Sequence, residues 1–195
     1  MSVPALLRLL AAAFVLATAQ AVAQPKEEPA PPLPAEYSEE ARRAYASGLA
    51  QARALMAEKR HAEAIKRLDE LVAQRPREAQ ARFMRAVALA DSGRTAEATS
   101  ALQALAADFP ELPEPRNNLA VIYAAQGNYP LARAELELAL ATAPDYAVAR
   151  ENLGDVYARM AALEYERAAA LDKTSRGAAQ KLKLVRELLA APAAQ

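Results

Sequence analysis

The chain has 195 residues, of which 24 are Lys or Arg, 24 are Asp or Glu, and one is histidine. Because these charges balance and no cysteine is present, nothing in the composition favours a nucleic-acid or anionic-lipid partner, and disulfides, thiol nucleophiles and thiolate metal sites are excluded. Alanine is abundant and glycine is scarce, which favours helices.

Residues 1–23 have the layout of a secretory signal peptide. Arg8 precedes an apolar run, and small residues follow at Ala21 and Ala23. This is the order of a basic start, an apolar centre and a small-residue exit. We expect cleavage after Ala23, with Ala19 or Ala21 as alternative sites, and therefore a periplasmic or secreted protein. The alternative is an uncleaved anchor that faces the periplasm, and membrane contact is expected only in that case. The apolar run is short for a span of about 20 residues.

Residues 24–35 contain five prolines. Proline fixes φ and lacks a backbone donor, so this stretch predicts an extended, solvated linker. A folded domain is expected over 36–190, followed by a short tail at 191–195.

A 34-residue period organises the folded domain. Pro76, Pro110 and Pro144 keep this spacing. So do other residues of matched type: Ala64, Ala98 and Ala132; Gly93 and Gly127; Leu119 and Leu153; Tyr123 and Tyr157. Self-similarity of this length indicates stacked helix pairs. We expect repeats over about 45–78, 79–112 and 113–146, and an incomplete fourth over 147–173.

The third unit shows the two helices of a repeat most clearly. Pro115 lies in the first turn of a helix with apolar residues at spacings of three and four. Gly127 suits the left-handed turn that ends this helix, and Asn128 suits the cap of the next. Small residues are expected where helices approach closely: Ala120, Ala132, Ala139 and Gly154.

The pattern resembles the tetratricopeptide repeat (TPR), W-x2-L-G-x2-Y followed by Ala and Pro over 34 residues. The third unit carries most of it, in Leu119, Ala120, Tyr123, Gly127, Tyr129, Ala132, Ala139 and Pro144. No unit has the Trp, whose place is taken by Gly48, Arg82, Arg116 and Arg150. The resemblance covers about 45–172. It implies an all-α TPR α-solenoid, a right-handed superhelix of antiparallel helix pairs.

The fourth unit departs from this pattern. Ala161 replaces the turn glycine, and Ala178 stands where the closing proline would fall. We therefore predict one helix over 146–171, about 39 Å long at 1.5 Å per residue. The alternative is a tightened hairpin that reverses near 160–164.

Both ends of the solenoid need a cover. A capping helix is predicted over 175–189, with Leu182, Val185, Leu188 and Leu189 on one face. At the other end, a first helix over about 36–58 begins early enough to help.

Catalytic chemistry is not expected. His61 has no second histidine with which to bind a metal, and its position suits a packing or turn residue. The carboxylate pairs Glu39/Glu40 and Glu135/Glu137 lie among Arg and Ala, which is typical of a solvated helix face. No phosphate-binding loop or metalloprotease motif is present. We expect no enzyme, cofactor, metal site or small-molecule substrate.

The resemblance implies that the first helix of each unit lines a concave groove. The groove residues predicted on this basis are Arg53, Phe83, Met84, Val87, Asn117, Asn118, Val121, Asn152, Asp155 and Arg159. Amides at the equivalent positions Asn118 and Asn152 could clamp the backbone of an extended peptide. The alternative for this pair is a structural polar contact between neighbouring first helices, and for Phe83 and Met84 it is inter-helix packing.

These features together predict a non-catalytic scaffold or adaptor in the bacterial periplasm. It would bind a protein or peptide segment in the concave groove, in envelope assembly, secretion or protein maturation. The alternative is a self-associating structural module of a membrane-associated complex, which would use its convex face or C-terminal helix.

Overall fold

The computed structural model describes residues 38–190, so the predicted signal peptide, linker and tail lie outside the described residues. This part of the chain consists of α-helices without strands. In chain order the helices are α1 (Glu39–Ala57), α2 (His61–Gln74), α3 (Ala79–Asp91), α4 (Thr95–Asp108), α5 (Pro113–Ala125), α6 (Tyr129–Thr142), α7 (Ala147–Leu171) and α8 (Arg176–Ala190). None of these eight helices combines the length and apolar character needed to cross a bilayer.

The helix boundaries keep the 34-residue period. The helices α2, α4 and α6 begin at His61, Thr95 and Tyr129, and α3, α5 and α7 begin at equally spaced positions. Between the two helices of a unit the chain turns through a left-handed residue, with φ of 80° at Gly93 and 75° at Gly127. Unit one makes the same turn at Lys59, with φ of 58°. The repeated turn geometry explains why glycine recurs there.

The stack curves toward its first helices. Consecutive first helices, α1, α3, α5 and α7, contact one another in the described part of the chain, whereas consecutive second helices, α2, α4, α6 and α8, do not. Because the first helices are closer together, they form the inner, concave face of the solenoid.

Apolar side chains fill the space between the two helix layers. Leu68, Leu89, Leu102 and Leu119 are almost fully buried in one cluster that joins α1 to α5. A second cluster around Leu136 joins α5, α6 and α7. The core therefore divides at α5, which contributes residues to both clusters.

Polar contacts between units also repeat. Gln103 Nε2 of α4 donates to Tyr123 Oη of α5 at 3.1 Å. One repeat later, Tyr157 Oη of α7 donates to Glu137 Oε1 of α6 at 3.4 Å. The repeated Tyr therefore joins α5 and α7 to the second helix of the preceding unit.

Arginine side chains occupy the position of the family's Trp in three units. Arg82 pairs with Asp108 at 2.6 Å, and its guanidinium lies 5.5 Å from the centre of the Phe109 ring. Arg116 pairs with Glu135 at 3.2 Å between α5 and α6. Arg150 instead donates two hydrogen bonds to the backbone oxygen of Pro144, at 3.1 and 2.8 Å. An ion pair thus stands in the place of the aromatic ring in units two and three, and a side-chain to backbone contact does so in unit four.

The predicted long helix is present. The helix α7 runs without interruption from Ala147 to Leu171, so the chain does not reverse near 160–164. The chain reverses after Leu171 instead, and α8 packs on α7 alone. An ion pair between Arg186 and Glu166 joins these two helices.

This arrangement corrects one expectation about the fourth unit and one about the capping helix. A Cβ built at Gly154 would meet no heavy atom within 4 Å, so no neighbouring helix approaches closely there. In the third unit the equivalent Ala120 is buried against α6. Of the four residues expected on one face of the capping helix, Leu182, Val185 and Leu189 are half-buried, but Leu188 is exposed.

Candidate functional site

A cavity of about 380 Å³ opens between α5 and α7. Its lining combines aliphatic residues and one tyrosine with an asparagine, an aspartate and an arginine. The lining residues are Ala120, Val121, Ala124, Ala125, Tyr129, Leu136, Asn152, Asp155, Val156 and Arg159. Four of the ten predicted groove residues therefore meet here: Val121, Asn152, Asp155 and Arg159.

One wall of the cavity is a single face of α7. Asp155, Val156 and Arg159 follow Asn152 by three, four and seven residues, which places all four on the same side of a helix. Val156 is buried and anchors this face to the core cluster around Leu136. The polar side chains are thus held beside an apolar floor.

The two charged residues of the cavity are unpaired within the described chain. Asp155 and Arg159 are both exposed, and neither makes an ion pair or hydrogen bond with another described residue. Charged residues elsewhere in the structure commonly pair, as Arg116 does with Glu135. The cavity therefore presents one carboxylate and one guanidinium that are free to meet an outside group.

The asparagines of the repeated motif do not form a pair of equivalent amides. Asn118 Nδ2 donates to the backbone oxygen of Glu114 in its own helix at 2.9 Å. Asn152 Nδ2 donates to Asn117 Oδ1 at 2.8 Å, which joins α7 to α5. Asn117 is 5% exposed and is the buried polar residue of the described core. Of the two motif asparagines, only Asn152 contacts a neighbouring first helix, and its partner is Asn117 and not Asn118. Asn152 Oδ1 has no partner among the described residues.

Phe83 and Met84 lie apart from this cavity. Met84 is 8% exposed and belongs to the core cluster that joins α1 to α5, so it offers the groove little surface. Phe83 is half-buried and lines a separate apolar cavity of about 330 Å³ with Leu105, Leu112 and Pro115. The apolar shelf expected from this pair is therefore reduced to Phe83.

The remaining two predicted residues lie on earlier units. Val87 is half-buried on α3, and Arg53 is exposed on α1. Neither lines the cavity between α5 and α7. The predicted groove residues therefore lie on four helices, and the polar ones that line the cavity all lie on α7.

The sequence interpretation missed the small residues that shape the cavity. Ala124 and Ala125 follow Val121 by one helical turn, so they share its side of α5. This spacing can be recognised in the sequence, but alanine is too common in this chain for its position to indicate a binding site. Tyr129 and Leu136 reach the cavity from α6, and no pattern within a first helix could have indicated them.

The described residues offer no metal centre, since they contain no group of three His, Asp or Glu side chains placed to hold an ion. His61 lies at the start of α2, away from the cavity. Its Nδ1 is buried without a hydrogen-bond partner in the described chain, which is consistent with a packing residue.

Two family models of the tetratricopeptide repeat match the chain, one over residues 49–113 and the other over 89–153. Together they cover more than half of its length. The chain belongs to the tetratricopeptide repeat family. The departures from the TPR pattern are thus a missing Trp in every unit and an open fourth unit.

Solved TPR structures share this fold. YrrB, described as a TPR protein with an unusual peptide-binding site, is 24% identical, with a TM-score of 0.51 and 55% of each chain covered. TTC0263, a thermophilic TPR protein from Thermus thermophilus, is 19% identical, with a TM-score of 0.54, over 73% of this chain and 81% of that one. The Yersinia enterocolitica type III secretion chaperone SycD, in complex with a peptide of the translocator YopD, is 11% identical. Its TM-score is 0.51, over 77% and 98% of the two chains. No curated protein sequence is significantly similar to this chain.

Proposed function

We propose that this TPR protein is a non-catalytic scaffold that binds a protein or peptide segment on its concave face. The observation that carries the proposal is the cavity between α5 and α7, where an apolar floor lies beside the unpaired groups of Asn152, Asp155 and Arg159. Apolar contacts and a few fixed polar groups are what an extended peptide needs for affinity and orientation. The peptide-binding site of YrrB and the YopD peptide on SycD support this use of the fold.

We further propose that the protein acts in the bacterial periplasm, in envelope assembly, secretion or protein maturation. The support is the signal-peptide layout of residues 1–23. N-terminal sequencing of the protein from the bacterial envelope should identify Gln24 as the first residue. Recovery of the intact N-terminus in the membrane fraction would instead indicate the anchored form.

Site-specific crosslinking tests the concave face directly. Val121 is 49% exposed in the cavity, and Leu138 on α6 is 47% exposed outside it. A photoreactive amino acid at Val121 should therefore capture a discrete protein partner that the same group at Leu138 does not capture. Equal capture from both positions would contradict a concave binding face, because the two positions differ in location and not in exposure.

A second candidate function is self-association through the C-terminal helix. It is favoured by the open surface of α8, which has no buried residue and exposes Leu184 and Leu188. Sedimentation at increasing protein concentration distinguishes the two functions. A dimer that is lost on replacing both leucines with glutamine would favour the structural module, and a monomer at all concentrations would exclude it.

A further inference from the structure

The two free charges of the cavity are set at a spacing that an extended peptide can match. Asp155 and Arg159 are four residues apart on α7, a rise of about 6 Å along the helix axis. Alternate side chains of an extended peptide point the same way and are about 6.6 Å apart. Two oppositely charged side chains in positions i and i+2 of a bound segment would therefore reach both groups at once.

The opposite wall of the cavity determines which kind of side chain a bound peptide can place between its two charged residues. Val121, Ala124 and Ala125 of α5 face the cavity and carry no polar side-chain atom. In an extended segment that runs along α7, residue i+1 points away from α7 and toward this wall. An apolar side chain at i+1 would bury surface there, whereas a charged one would lose hydration without a partner.

Asn152 supplies a group for the peptide backbone. Its amide nitrogen is occupied by Asn117, which fixes the side-chain orientation and leaves the carbonyl oxygen free within the described chain. That oxygen can accept a hydrogen bond from a backbone N–H of any sequence. Selectivity would then come from the two charges and the apolar wall.

We propose, building on the concave-face function above, that the cavity selects an extended segment with the order basic–apolar–acidic, in either chain direction. The basic side chain lies against Asp155, the apolar one against Val121, and the acidic one against Arg159. Asp155 and Arg159 could pair with each other across one helical turn, but such exposed pairs are weak and a ligand can displace them.

Capped heptapeptides test the charge order. Four probes share the frame Gly-Ala-x-Val-x-Ala-Gly, in which the two variable positions are Lys and Glu, two Lys, two Glu or two Gln. Titration of isotope-labelled protein, followed by NMR, reports both the affinity and the residues whose signals shift. We expect the Lys/Glu probe to bind about threefold to tenfold more tightly than either like-charged probe, since each like-charged probe replaces one attraction with a repulsion. The shifts should centre on Val121 and the side-chain amide of Asn152.

Charge-reversed variants give the decisive comparison. Asp155→Arg should make the doubly acidic probe the tightest, and Arg159→Glu should make the doubly basic probe the tightest. Both residues are exposed, so folding should be unchanged. Asp145→Arg is the matched control, because Asp145 is exposed in the loop before α7 and does not line the cavity. It should keep the preference for the Lys/Glu probe.

Several results would overturn this inference. Equal binding of all four probes at the cavity would show that its charges do not select, while leaving concave-face binding intact. Preferences that ignore the charge reversals, or the absence of binding by every probe, would also reject it. The crosslinking from Val121 decides the general function separately, because it does not depend on the charge order.

Discussion

Breaking the hydrogen bond between Asn152 and Asn117 should destabilise the solenoid by an amount that depends on which partner is replaced. The 2.8 Å bond links the first helices of units three and four. Asn117 is 5% exposed, whereas Asn152 is half-buried and borders the open cavity. Asn152→Met therefore leaves the buried Asn117 oxygen without its donor, which costs about 1–3 kcal/mol.

Asn117→Leu should cost less, at most about 1 kcal/mol, because water in the cavity can bond to the amide of Asn152. The double variant has a precedent in the same chain. Leu49 in unit one is equivalent to Asn117, and Met84 in unit two is equivalent to Asn152. These two residues are 6% and 8% exposed in one apolar cluster. Asn117→Leu/Asn152→Met should therefore lie within about 1 kcal/mol of the wild type.

Urea denaturation followed by far-ultraviolet circular dichroism gives the four free energies of unfolding. A double-mutant cycle then yields the coupling between the two sites, which we expect to be at least about 1 kcal/mol. Additive effects, or an Asn117→Leu variant that is as unstable as Asn152→Met, would refute the assignment of this pair to the joint between units.

Four further changes test the turns, the fourth unit and the close helix contact in unit one. Lys59→Gly should stabilise the protein by about 0.5–1 kcal/mol and raise its Tm by about 2 °C, because Lys59 holds the left-handed φ that glycine holds in units two and three. Gly154→Ala should stabilise by about 0.5–1 kcal/mol, since its Cβ meets nothing. Gly48→Ala should destabilise by about 1–3 kcal/mol in the same thermal unfolding assay, since its Cβ would lie 2.7 Å from a side-chain carbon of Leu71. Hydrogen bonds from the Thr174 hydroxyl and N–H lower the pKa of Asp172. Its contribution to stability is therefore present above the ordinary pKa of 3.8 and is lost as the pH falls through the lower folded value. Asp172→Ala should have a lower free energy of unfolding in urea than the wild type at pH 7, and this difference should disappear in strong acid.

Sequence reasoning succeeded where a feature depends on local chemistry. The left-handed turn favours glycine, the first turn of α5 accommodates Pro115, and the apolar stripe follows the helical period. Each of these signals lies within a few residues of its effect. The paired helices of each repeat, the continuous α7 and the family could therefore be predicted from the sequence.

The contacts between units were harder to predict, because a repeat period identifies equivalent positions and equivalent positions need not touch. Asn118 and Asn152 are 34 residues apart and face similar surroundings, but the hydrogen bond joins Asn152 to Asn117, which is 35 residues away. This difference of one residue depends on how far one first helix is shifted along its axis relative to the next first helix. Met84 is 8% exposed in the apolar cluster that joins α1 to α5, which agrees with the alternative of inter-helix packing.

The departure of unit four from the TPR pattern also determines how the cavity is built. The positions equivalent to Arg159 are Ala57, Asp91 and Ala125, and each is the last residue of its helix. Because α7 continues for 12 residues beyond Arg159, the backbone of Arg159 lies inside a continuous helix and not at an end that can fray. The extension is itself supported by α8, through the contact of Lys181 with the Tyr165 ring and the ion pair of Arg186 with Glu166. Because the turn is absent, the helix that carries Arg159 is supported by the capping helix. A change that disrupts the packing of α8 should therefore increase the mobility of Arg159 more than that of Val121.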